Sequence, residues 1–423
     1  MNCQRKRPFY ATAQRMVYAS SQGLQMFGER WDRIVAERGA QAALYLADGS
    51  ATTFHQLDEE ARALKPAGDH VLVQGDTPAI LRSLLAGLLH GVPVQLVEKD
   101  RQRRVPAIPP PAGTALIKQT VGGSGLRRCQ FFTLDQIAAD VDRLHAALDL
   151  GARGVGVAAI SCAHSFGLTM TVLQTLFNGV PTCFAPQPFA QPLMEAMRHH
   201  ARVFLPGVPA LWKAWLMGEV QFGNVSLAIS AGSPLTRALE RMAMDKHGLK
   251  IHNLYGTSEC GAVSWDGSDS LRDDARDLGS LLPGVQTQTD HKGRLFVTSS
   301  SVGLGYDELL PDERYGGGSF TTSDQIDPSG ERLMFEQCIG GGINVAGRKL
   351  SPAEIGEKIK RAAELPGVTI RGASSRDPER CQDIVAELEV PQAEIDAAFK
   401  ARACSLLAPW EVPRRWMGRK NDP

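Results

Sequence analysis

The chain has no C-x-x-C pair. Its 8 cysteines (Cys3, Cys129, Cys162, Cys183, Cys260, Cys338, Cys381, Cys404) are scattered over 423 residues. That scatter argues against a disulfide framework or a structural zinc site and fits a reduced, cytoplasmic setting. Charge of one sign is also missing. Lys plus Arg and Asp plus Glu each number 46, so the bulk balance gives no reason to expect nucleic acid or an anionic membrane surface as partner. No long apolar run interrupts the chain. The most apolar window, Ala79 to Val97, is broken by Arg82 and His90 and punctuated by Gly87, Gly91 and Pro93. It reads as a buried helix followed by a strand rather than a membrane span. The basic start (Arg5, Lys6, Arg7, Arg15, with no acid before Glu29) lacks an apolar core and reads as a solvated tail, not a secretory signal. No internal repeat is visible. No G-x-G-x-x-G opens a helix after a strand, which leaves a dinucleotide-dependent oxidoreductase without support.

What is present is an ordinary enzyme-like balance, 43% hydrophobic and 22% charged, on a chain long enough for two or three lobes. From Val71 short β-type runs alternate with helical ones. Strands are expected over Val71 to Gln74, Val92 to Val97, Ala115 to Gln119, Gln130 to Phe132, Val155 to Ile160, Pro181 to Ala185, Val203 to Leu205, Val225 to Ser230 and Ile251 to Leu254. Helices are expected over Ile80 to Leu89, after Thr133, near Thr169 to Phe177 and over Thr236 to His247. Thr133 and Gln136 form a capping-box pattern, and Ser351-Pro352-Ala353-Glu354 is a helix start. Such alternation predicts an α/β protein with mostly parallel sheet flanked by helices. Ligands of such sheets sit at the carboxyl ends of strands. Three loops leave strands there: Ser161 to Gly167, Ala231 to Pro234 and Tyr255 to Gly261.

The stretch Asn253-Leu254-Tyr255-Gly256-Thr257-Ser258-Glu259 sets an aromatic face, a glycine turn, two hydroxyls and a carboxylate side by side. These groups suit a purine, a phosphate and a hard cation; the plain alternative is a strand end with a buried Tyr and an exposed Glu. The loop Thr120-Val121-Gly122-Gly123-Ser124-Gly125-Leu126-Arg127-Arg128 has the glycines for an anion-binding nest and two arginines for a polyphosphate. It is no Walker A loop, since the Lys-Ser/Thr pair is missing. A hairpin with a solvated basic tip is its structural alternative.

Together these stretches resemble the adenylate-forming enzymes (acyl-CoA synthetases, carrier-protein-loading adenylation domains, luciferases). The Gly-rich loop resembles their T-S-G-S-T-G-x-P-K phosphate loop at Thr120, Gly122, Ser124 and Gly125, with Val121 and Gly123 in place of hydroxyl residues and Arg128 where lysine is usual. Ser161 to Leu168, with His164, resembles the H-x-x-G-L segment beside the acyl pocket. Ala231-Gly232-Ser233-Pro234-Leu235 matches the G-x-x-L turn. By resemblance Tyr255 stacks on adenine, Ser258 contacts the α-phosphate and Glu259 holds magnesium, with Asn253 and Gly256 completing that segment. Thr322-Ser323-Asp324 resembles T-G-D, whose carboxylate takes both ribose hydroxyls, and an acceptor-only carboxylate suits two donors. Gly347 to Ile355 follows the lid's G-x-x-[IV]-x-P-x-E-[IL].

The resemblance implies a large adenylate-binding domain over 1–336 and a small α+β lid over 337–423. It implies ATP-dependent activation of a fatty or aromatic carboxylic acid as an acyl-adenylate. The acyl group then passes to a thiol of coenzyme A or of a carrier protein's phosphopantetheine, with Mg²⁺ assisting. Two departures stand out. Gln337 and Cys338 occupy the usual Gly-Arg hinge, and the lid lysine of the G-K pair is not reached after Val412-Pro413, leaving Lys420 as its candidate replacement. They motivate an alternative, a degenerate relative that binds adenylate or acyl groups with little turnover.

Overall fold

Several helix starts in this chain are written by short polar side chains, and the structure follows them. In the computed structural model Thr133 accepts from the Gln136 amide and Gln136 reaches back, closing the expected capping box ahead of the helix Leu134–Ala147. An unpredicted second box, Thr53 with Gln56, opens Phe54–Ala63. Asp76 with Pro78 opens Thr77–His90, Thr236 opens Arg237–His247, and Ser351 accepts from the Glu354 amide ahead of Pro352–Ala363. The structure describes residues 21–66, 68–99, 103–121, 125–310, 313–328, 330–338, 341–377 and 380–419.

Two sheets carry the first two thirds of the chain. A nine-stranded sheet runs in the order Ser280–Leu281, Gly261–Trp265, Ile251–Thr257, Val225–Ser230, Val203–Gly207, Val155–Ala158, Thr182–Phe184, Ala42–Tyr45, Ala51–Thr53. Its centre, from Ile251–Thr257 to Ala42–Tyr45, is parallel throughout, and its edges are antiparallel. A five-stranded sheet orders Gly305–Tyr306, Arg128–Thr133, Thr114–Thr120, Val94–Val97 and Val71–Gln74. The expected α/β class therefore holds, with parallel strands buried as apolar runs under helices. A third, antiparallel sheet links Gln286–Thr289, Arg294–Thr298, Ser319–Asp327 and Tyr315–Gly316, with Met334–Cys338 pairing to Ser319–Asp327.

The C-terminal residues build a separate core. Ile343, Leu350, Ile355, Ile359, Ile384 and Phe399 cluster with one another, and every member of that cluster lies at or beyond Ile343. It is held to the larger body by polar contacts. Arg127 pairs with Glu354, its Nε donating to Oε1 at 2.7 Å. Lys213 Nζ meets Asp377 Oδ1 at 3.0 Å, Arg348 Nη1 meets Glu98 Oε2 at 3.3 Å, and Asn344 Nδ2 donates to the Gly232 carbonyl at 3.3 Å. Gly125, at φ +74°, lies so close that a Cβ there would stand 2.9 Å from the Gly341 carbonyl oxygen and 3.1 Å from Pro352 Cδ.

Beneath the strand Ile251–Thr257 lies a buried charge network. Arg272, 0% exposed at its side chain, donates from Nη2 to Glu240 Oε2 at 2.9 Å and to the Leu235 carbonyl at 2.6 Å. Its Nη1 donates to the Asp277 carbonyl at 2.6 Å and the Ala275 carbonyl at 3.3 Å. Lys250 bridges Glu240 and Asp266 at 3.0 and 2.8 Å.

Two expectations need correction. The segment Tyr255 to Gly261 is not a free loop. The strand Ile251–Thr257 continues through the aromatic and the glycine and folds back on Gly261–Trp265 as a hairpin. Gly256 makes this possible, since a Cβ there would meet the Gly261 carbonyl oxygen at 2.4 Å and Ala262 Cα at 2.9 Å. The helix expected near Thr169 to Phe177 starts earlier, as Ser165–Gly167, and passes through a π-type turn, Leu168–Val172, before Leu173–Asn178. There Thr171 Oγ1 donates back to the Gly167 carbonyl at 2.7 Å.

Candidate functional site

A cavity of about 510 Å³ opens where the nine-stranded sheet, the third sheet and the C-terminal body meet. Its walls include Thr120, His164, Gly232, Asn253, Tyr255, Gly256, Ser258, Glu259 and Asp324, residues drawn from five separated stretches. They sit on strands or on the turns that follow them. Thr120 closes the strand Thr114–Thr120, and His164 precedes the helix after Val155–Ala158. Gly232 follows Val225–Ser230, and Asp324 lies on Ser319–Asp327.

The geometry within this wall is specific. Tyr255 is half-buried, and its hydroxyl donates to Asp324 Oδ2 at 2.9 Å. Burial above all, then the Asp324 carboxylate, holds that phenol well above its ordinary value, so it stays a donor. Asn253 is fixed by a 3.3 Å bond from Nδ2 to the Asp277 carbonyl. Glu259, 4% exposed, has Oε1 held by the Tyr306 hydroxyl, while Oε2 makes no hydrogen bond among the described residues. The turn is tied locally, the Glu259 amide donating to Thr257 Oγ1 at 3.3 Å. Gln337 and Cys338, at the end of Met334–Cys338, also line the cavity.

Arg128 and Gly125 are not brought to the cavity. Arg128 is 1% exposed, its guanidinium 3.7 Å over the Tyr306 ring and forked on Glu313, with Nη2 to Oε1 at 2.7 Å. In this structure the Arg128 guanidinium is therefore engaged by a carboxylate and backs the Tyr306 ring. Gly125 is spent on the contact with Gly341 and Pro352 described above. Gly122, Gly123, Ser124 and Lys420 lie outside the described residues.

Two lysines that sequence reasoning passed over stand in the wall, Lys118 and Lys349. Lys118 lies two residues before Thr120 on one strand, so the two-residue period puts both side chains on one face; that was the signal available. Lys349 sits on the hairpin strand Arg348–Leu350. Burial pulls its amine down, but Asp324, Cys338 and Glu259 outweigh it and hold the value above normal. Burial dominates at Lys118, pushing its amine from 10.5 to about 8 against the pull of Asp140, Glu259 and Cys260.

This has a consequence for stability. The folded value lies below the unfolded one, so between pH 8 and 10.5 the unfolded chain holds the extra proton, and stability rises with pH across that window. Below about 8 the buried charge exerts its full penalty. Lys118→Met is therefore expected to be the more stable protein at pH 7, its advantage shrinking towards pH 10.5. Urea curves for both proteins at pH 7, 9 and 10 check this; parallel pH profiles would contradict it.

Among the described residues no group of three or more His, Cys, Asp or Glu could hold a metal. The donor set suits magnesium, which takes one or two carboxylates and leaves its other positions to phosphate oxygens and water. Glu259 Oε2, without a hydrogen bond among the described residues, fits that requirement. Among the described residues no helix is long and apolar enough to cross a membrane.

The family described as AMP-binding enzyme matches residues 25–306. The acyl-CoA ligase AKT1 of Alternaria alternata is 25% identical over 323 residues, 66% of this chain and 54% of that protein. The chain spans about half the length of the curated relatives it matches. Among solved structures, o-succinylbenzoate CoA synthetase (MenE) of Bacillus subtilis superposes with a TM-score of 0.75 at 14% identity, covering 93% of this chain and 95% of that one. The amide bond synthetase McbA of Marinactinospora thermotolerans gives 0.72 at 16% identity, covering 93% and 96%. At such identities these two likenesses speak for the fold.

Proposed function

Because the chain belongs to the AMP-binding enzyme family, we propose that it is an AMP-forming acid–thiol ligase. In this reading it activates a fatty or aromatic carboxylic acid with ATP and passes the acyl group to a thiol. The observation that carries the reading is the convergence of Thr120, His164, Gly232, Tyr255, Glu259 and Asp324 on one cavity. The acid's carboxylate oxygen attacks the α-phosphorus, the bond to pyrophosphate breaks, and the acyl-adenylate forms. The thiol of coenzyme A or of a carrier protein's phosphopantetheine then attacks the acyl carbon, and AMP leaves with the thiol proton going to solvent. Two anions must meet in line, so positioning and charge screening are the protein's main contributions.

Asp324, already turned into the cavity by the Tyr255 hydroxyl, would accept from the ribose hydroxyls. The Tyr255 ring would lie against the base, and Thr120 and Ser258 would serve the phosphates. Magnesium, carried by Glu259, would supply charge neutralisation to the phosphate oxygens. The buried free thiols Cys129, Cys162, Cys183 and Cys260 favour a reducing, cytoplasmic compartment.

ATP–pyrophosphate exchange, or hydroxamate trapping, against a panel of fatty and aromatic acids tests the reading. Exchange with at least one acid is expected. Folded protein that binds AMP by calorimetry yet yields no product would instead favour a degenerate binder, a reading motivated by Gln337 and Cys338 at the cavity rim. Asp324→Ala is expected to weaken AMP binding roughly tenfold to a hundredfold, since hydrogen bonds to a charged group contribute about 1.5–3 kcal/mol. Tyr255→Phe, which removes only the hydroxyl that aims the carboxylate, should weaken it less. Calorimetry with AMP reads both, and unchanged affinity in Asp324→Ala would remove the ribose assignment.

A further inference from the structure

We propose that Lys118 binds the carboxylate of the acid being activated, a role that rests on the ligase reading above. The cavity wall is rich in negative charge, with Asp140, Glu259, Asp324 and Glu336 all in it. A carboxylate entering that cavity needs a cation to hold it. Among the described lining residues Lys118 and Lys349 are the two that carry a full positive charge. They lie at different places. Lys349 is drawn chiefly by Asp324 and Cys338, the corner assigned to the ribose.

Lys118 stands between the other two expected walls. Its Nζ donates to Ser165 Oγ at 3.1 Å, beside His164, and to the Ser258 carbonyl at 3.4 Å, in the turn before Glu259. The Phe132 ring backs it at 4.0 Å from its centroid. An ammonium carries three donors. Two are engaged, by a neutral hydroxyl and a neutral carbonyl, and no carboxylate among the described residues lies within ion-pair distance of it. The residue is only 8% exposed. A buried, charged group is stable only when paired, and here the position for the partner is the cavity itself. The acid's carboxylate supplies that missing charge, and one of its oxygens then remains beside Ser258, where the α-phosphorus is expected. A strand anchor suits this task, since the sheet fixes the stem of Lys118 more tightly than a loop would.

The test compares wild type, Lys118→Met and Lys118→Arg in the full chain. AMP affinity is read by calorimetry, and KM for acid and for ATP by pyrophosphate exchange over the acid panel. Lys118→Met is expected to keep AMP affinity within about twofold and to raise KM for the acid roughly tenfold to a hundredfold. ATP KM should change little, and Lys118→Arg should recover part of the loss. Unchanged acid KM in Lys118→Met overturns the inference while leaving the ligase reading standing. So does a loss confined to ATP KM, which would put the ammonium on phosphate. A wild type that binds AMP but turns over no acid also overturns it, and one that fails to bind AMP sinks both. Misfolding does not mimic the expected result, because the methionine variant is expected to be the more stable protein at neutral pH.

Discussion

Glu259→Gln is expected to lower magnesium-dependent pyrophosphate exchange by roughly 10²–10³-fold, the usual loss when a well-placed electrostatic partner is removed from a reacting centre. The substitution keeps the shape of the side chain. Its amide oxygen can still accept from the Tyr306 hydroxyl, which holds Oε1 in the native protein, so folding should survive. What changes is the atom facing the cavity. Oε2, a negatively charged acceptor without a protein partner among the described residues, becomes either neutral or a donor that repels a cation. The magnesium midpoint should move to higher concentration, with AMP affinity in metal-free buffer little altered. Tyr306→Phe is a graded companion. It leaves the carboxylate charged but unheld, and should give a smaller loss. A magnesium titration in which Glu259→Gln and wild type share one midpoint would remove the metal assignment.

Arg272→Met is expected to destabilise the protein by about 3–5 kcal/mol, the range for breaking a buried ion pair from one side. The side chains of Arg272 and Glu240 are 0% and 1% exposed. Removing the guanidinium leaves Glu240 with Lys250 alone and strands the Leu235 carbonyl, which Arg272 reaches at 2.6 Å. The effect should also reach the cavity. The Asp277 carbonyl accepts from Arg272 and from Asn253, and Ala275, another carbonyl bound by Arg272, belongs to the cavity wall. Weaker AMP binding should therefore accompany the lost stability. Urea unfolding reads the first effect and calorimetry the second. A shift below about 1 kcal/mol would mean that water or Lys250 compensates the exposed charge.

Much of the scaffold was legible because its signals are local. Thr133 with Gln136, Thr236 and Ser351 each mark a helix start within four residues, and all three do so in the structure. Apolar runs such as Val225–Ser230 appear as buried parallel strands. The site was partly legible for the same reason, since Tyr255, Ser258 and Glu259 are neighbours in sequence. The failures are long-range. Nothing near Arg127 and Arg128 reveals that Glu354 and Glu313 wait for them, 227 and 185 residues on. In the structure Arg127 pairs with Glu354 and Arg128 with Glu313. Hairpin closure over Gly256 depends on the backbone of Gly261 and Ala262 approaching closely, a fact of tertiary geometry. Lys118 escaped notice because a lysine inside an apolar strand reads as an edge or solvated position.

Among the described residues the seam between the C-terminal residues and the rest of the molecule includes Arg127 with Glu354, Lys213 with Asp377, Arg348 with Glu98 and Asn344 with the Gly232 carbonyl, alongside the close approach of Gly347 to Val208, while the C-terminal apolar cluster is its own. Pairs of this kind exchange their partners for water at little cost when they lie at a surface, so the polar part of this seam adds little to the free energy that keeps the two bodies together.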